Sequence, residues 1–118
     1  MKYDLFATLY LEAQEYSDVE MYIAERGWQE WMDNFPGEQL GNILTSIYEL
    51  ATASLKEIRE SRKISRAAFS RIYNIPIRSL EDWDTEKRKI ADYNKMLIAY
   101  TFFMDDFLDK SPRDHNHE

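Results

Sequence analysis

The stretch SRAAFSRIYNIPIRSLEDWD, from Ser65 to Asp84, decides the fold. Two helices joined by a tight turn need apolar anchors inside each helix, a small residue where they cross, and a turn residue that tolerates a left-handed backbone. Phe69, Ile72 and Tyr73 supply the anchors of the first helix, and Ser70 is the small crossing residue. Asn74 belongs to the few residue types that enter positive φ at low cost and close helix C-termini. Ile75 is expected to point into the core. Pro76 suits the first turn of the next helix, where its missing N–H costs nothing. Leu80 and Trp83, three apart, bury the second helix against the first, which leaves Ile77, Arg78, Ser79, Glu81 and Asp82 facing outward. Ser65 is placed to cap the first helix.

The rest of the chain also reads as helix. Three glycines and three prolines punctuate 118 residues, so long helices and short turns are expected. Leu5, Phe6, Leu9, Tyr10 and Ala13 share one helical face within residues 3–16. Ser17 and Glu20 have capping-box spacing and should open a second helix running towards Gly27. Trp28, Trp31, Met32 and Phe35 form a short aromatic segment expected to pack in or over the core, ended by Pro36-Gly37. Leu40, Ile43, Leu44, Ile47, Tyr48, Ala51, Leu55 and Ile58 make one stripe. Ser54 and Glu57 form another capping pair, so this stripe fits either one helix or two meeting near Thr52–Ser54. A last helix over 91–108 would turn Tyr93, Met96, Leu97, Tyr100, Phe103, Met104 and Phe107 inward. The expected architecture is all-α: a single domain of five to six helices, with an acidic helical extension over 1–53, a helix-turn-helix domain over 54–108 and a frayed tail over 109–118.

Composition excludes several function classes. With 44% hydrophobic and 14% aromatic residues, the chain has the material for a core. It contains no cysteine, which removes disulfides, thiol catalysis and cysteine-based zinc sites. No apolar run approaches the roughly 18 residues of a membrane span, and no signal pattern opens the sequence, so a cytoplasmic protein with no membrane partner is expected. The net charge is −7, which argues against a nucleic-acid partner until its distribution is considered. Residues 1–55 hold two basic residues against ten acidic ones, whereas residues 56–89 hold ten basic against six acidic. Positive charge concentrated in one segment marks where an anionic partner docks.

Residues 54–89, and above all Asn74-Ile75-Pro76-Ile77-Arg78-Ser79-Leu80-Glu81-Asp82-Trp83-Asp84, resemble the Xre/Cro/cI-type helix-turn-helix proteins of phages and bacteria. The likeness is to the variant x-I-P-x-R-[ST]-L-x-x-W-[DE] found on Gram-positive mobile elements, and the block from Arg26 to Met32 resembles the lead-in of some of those proteins. The resemblance implies a lambda-repressor-like unit in a DNA-binding transcriptional regulator, with double-stranded DNA as partner and a homodimer reading two half-sites. It places the second helix in the major groove. Arg78 would contact guanine, Ser79 would add a weaker contact, Ile77 would touch a thymine methyl, and Asp82 would face the groove. Arg66 would reach phosphate or the groove edge, and Lys87, Arg88 and Lys89 would form a basic loop on the backbone. Arg71 is open to pairing with Glu57 or Glu60 instead of DNA.

Other constellations are weaker. Glu81 and Asp82 place two carboxylates where such proteins often carry amides or bases, at an electrostatic cost near phosphate. The same scaffold therefore admits a second reading, an acidic inhibitor of a nuclease (an anti-CRISPR protein, for example) or an antitoxin that takes a basic protein partner. Asp114, His115, His117 and Glu118 alternate acids and histidines in the tail, but a chain end lacks the support that orients metal ligands. Asp105-Asp106 and Glu81-Asp82 stand without a histidine, a phosphate loop or a nucleophile motif, so no enzyme, cofactor or metal is expected.

Overall fold

Side-chain caps at Asp18, Ser54 and Ser65 each open an α-helix. A computed structural model of the chain describes residues 1–108, so the candidate cluster of Asp114, His115, His117 and Glu118 lies outside the described residues. Within them the fold is all-helical, with seven α-helices and one short 3-10 helix. Contacts group it into two units, residues 1–52 with 96–108, and Ala53–Lys95. The last helix therefore contributes to both, with most of its length in the first.

The first unit contains α1 (Tyr3–Ala13), α2 (Val19–Ala24), a 3-10 helix (Glu30–Asn34), α3 (Gly37–Thr52) and the greater part of α7 (Asp92–Leu108). Its core is Phe6, Leu9, Tyr10 and Ala13 of α1, Ile43, Leu44, Ile47 and Leu50 of α3, and Ile98, Ala99, Phe102 and Phe103 of α7. The Phe6 ring lies 5.3 Å from Phe103 and 5.1 Å from Tyr100, and aromatic pairs at such spacing add to simple area burial. Tyr93 and Leu97, expected inward, are exposed. The buried stripe of α7 instead runs through 98, 99, 102 and 103, the positions that meet the α1 aromatics.

Asp18, not Ser17, caps α2, its carboxylate accepting from the Met21 N–H at 2.8 Å. Trp28 is 67% exposed, so it is not part of the core, whereas Met32 is buried. Tyr22 is fully buried and donates its hydroxyl to the Leu9 carbonyl at 2.8 Å; burial pushes that phenol up to about 12. Arg26 lies 4.4 Å over the Tyr22 ring and pairs with Glu12 at 2.8 Å, an internal cation the sequence reading did not find.

The second unit holds α4 (Leu55–Ser61), α5 (Arg66–Tyr73), α6 (Ile77–Asp84) and the start of α7. The long stripe is two helices: α3 ends at Thr52, and a reciprocal Ser54–Glu57 capping box opens α4. The Ser54 backbone N–H donates to Glu57 and holds its carboxyl below the usual carboxylate range. Phe69 and Leu80 are fully buried, and Phe69 stacks on Tyr73 at 4.4 Å. Ile72, expected as an anchor, is 61% exposed: Phe69 and Tyr73, four apart, turn the α5 seam away from it.

Candidate nucleic-acid interface

The turn between α5 and α6 is built as its residues require. Ser65 caps α5 by accepting from the Ala68 N–H at 3.1 Å. Asn74 stands in the left-handed region at φ 54° and ψ 41°. Beyond it the Ile75 N–H returns to the Ser70 carbonyl at 3.2 Å, and the Ser70 hydroxyl donates to the Ile75 carbonyl at 2.6 Å. The first bond closes the last turn of α5 and the second ties the connecting residue back to it. Ser70 thus serves as more than a small crossing residue, because it locks the turn. Ile75 is half-buried, and Pro76 precedes α6 as its N-cap.

An ionic cluster ties the three helices of this unit. Asp84 is the last residue of α6, and its side chain is 4% exposed. Its Oδ2 accepts from Arg59 Nη2 of α4 at 2.5 Å and from Arg66 Nε of α5 at 2.8 Å. Arg59 also donates Nη1 to the Ile64 carbonyl in the α4–α5 connector at 3.1 Å. A buried carboxylate is tolerable only when it is paired and hydrogen-bonded, as here. Arg59 and Asp84 were not expected as a pair. The available signal was that Arg59 lies one and four positions from Ile58 and Leu55 on the buried stripe, where a cation demands an internal anion.

The predicted contact residues separate into three sets. Ile77 and Arg78 are exposed on the first turn of α6, and Ser79 is half-buried beside them. Arg66 is held by Asp84 at 2.8 Å, and Arg88 by Asp82 at 3.0 Å. Asp82 is correspondingly not an open groove-facing acid: its side chain is 16% exposed and packed under Arg88. Lys89 reaches 4.0 Å from Asp92, while Lys87 and Arg71 are exposed and have no ion pair among the described residues. Arg71 therefore does not pair with Glu57 or Glu60. Glu81 is the exposed acid of the second helix, 3.9 Å from Arg66 Nη1.

No family model, curated protein or solved structure matches this chain. Among the described residues no cluster of histidine, cysteine and carboxylate side chains could hold a metal, and no helix is long and apolar enough to cross a membrane.

Proposed function

We propose that this chain is a DNA-binding transcriptional regulator that presents α6 to the major groove, working as a homodimer on a two-fold site. The observation that carries this reading is Arg78. It is exposed on the first turn of α6, has no ion pair among the described residues and stands next to the exposed Ile77. An unengaged guanidinium at the start of the second helix suits bidentate contact with guanine, and an adjacent aliphatic suits a thymine methyl. Lys87 and Arg71 supply cations for phosphate. The pairing of Asp82 with Arg88 lowers the electrostatic cost of bringing that helix to DNA.

A second reading draws on the first unit. Residues 1–52 hold ten acids and two basic residues, and one of the two, Arg26, is buried on Glu12. That surface suits a basic protein, so an inhibitor or antitoxin on the same scaffold is the alternative. Selection from a random duplex pool at low salt separates the two. The DNA reading expects enrichment of a preferred, two-fold symmetric sequence; a pool with no retained duplex would overturn it. The alternative expects no enrichment, together with capture of a basic protein that is lost when Glu20 and Glu25 are reversed to lysine.

A further inference from the structure

Asp84 holds two guanidiniums, and they are not equivalent. The Arg59 side chain is 8% exposed and engages both terminal nitrogens, one on Asp84 and one on the Ile64 carbonyl. The Arg66 side chain is 41% exposed and is hydrogen-bonded through Nε alone. Its Nη1 lies 3.9 Å from Glu81 Oε2, beyond hydrogen-bond reach. A guanidinium fixed at Nε presents its two terminal nitrogens as a planar fork, which matches two oxygens of a phosphate.

We infer that Arg66 is a pre-set, end-on phosphate ligand anchored by Asp84, and that Glu81 is a resident competitor that an incoming phosphate displaces. The inference rests on the DNA reading, where the phosphate is that of the duplex backbone, and adds a control on affinity to it. Anchoring reduces the side-chain entropy lost on binding. Glu81 sits beside the same fork, so it opposes every phosphate equally. Phosphate contacts carry no base information, and Glu81 therefore weakens all duplexes without changing the preferred sequence.

The test uses the full chain with inorganic phosphate and, separately, with duplex DNA, following the Arg66 Nε–H by NMR. That signal is assigned by its loss in Arg66→Ala. Phosphate should shift the Nε–H signal without abolishing it, because Asp84 keeps hold of Nε. Glu81→Gln should tighten both ligands about threefold, the effect of removing one exposed charge contact. Arg66→Ala should reduce the slope of log affinity against log salt by about 1 for any duplex, with little loss of thermal stability because Arg59 retains Asp84. An Arg66 signal unmoved by phosphate would overturn the inference. So would a wild type that binds duplex with the same salt slope as Arg66→Ala. If phosphate shifts the signal and Glu81→Gln tightens it while no duplex binds, the phosphate site stands and the DNA reading falls.

Discussion

At the scale of single residues, Asp84 organises the second unit. One of its oxygens takes the guanidiniums of Arg59 and Arg66, which joins α4, α5 and the end of α6. Removing one partner of a buried pair costs far more than the net worth of the pair, because the remaining charge is left uncompensated. Asp84→Asn is therefore expected to destabilise the protein by about 3–5 kcal/mol in urea denaturation. A loss below about 1 kcal/mol would mean that the cluster is not what holds these helices. The apolar anchors Phe69 and Leu80 were legible from spacing alone, since burial follows period. The ion pairs were not: the sequence places cations and acids in the right segment, but which carboxylate meets which guanidinium is fixed only when the helices pack. Arg66, Arg88 and Asp82 are each engaged in such pairs.

At the scale of elements, the turn chemistry transferred well from sequence to structure. Asn74 is left-handed, Ser70 is small and hydrogen-bonded, and Pro76 opens α6. The left-handed region costs a β-branched residue about 1–2 kcal/mol, a cost glycine avoids. Asn74→Val should lower stability by that amount in thermal or chemical denaturation, whereas Asn74→Gly should stay within a few tenths of a kcal/mol of the native protein. Equal losses in both would indicate that the Asn74 side chain, rather than its backbone, is what matters. Where elements were misplaced, the cause was competition between similar signals. Ser17 and Asp18 are both good caps, and Asp18 takes the role. The apolar residues of α7 cover more than one face, and contact with Phe6 and its neighbours selects Ile98, Ala99, Phe102 and Phe103 over Tyr93 and Leu97. Trp28 follows Gly27, whose φ is +67°, and it stays outside despite its apolar surface.

At the scale of the whole molecule, charge is partitioned along the chain. The all-helical class and the helix-turn-helix segment were readable because period and capping are local properties. The division into two units was not, because it depends on the last helix returning to α1 across nearly the full length of sequence. Acidic charge dominates residues 1–52, while Ala53–Lys95 carries a net positive charge. The sign of the total therefore misleads about what either unit binds. Under the proposed DNA-binding function Arg78 reads sequence while other cations only position the protein, and two substitutions compared on one preferred duplex and its scrambled counterpart at fixed salt test this. Arg78→Ala should weaken binding to the preferred duplex by about 1–3 kcal/mol and leave the scrambled one nearly unchanged. Lys87→Ala should weaken both alike and flatten the salt dependence by about one contact. Equal losses on the two duplexes with Arg78→Ala, or no loss at all, would contradict the account.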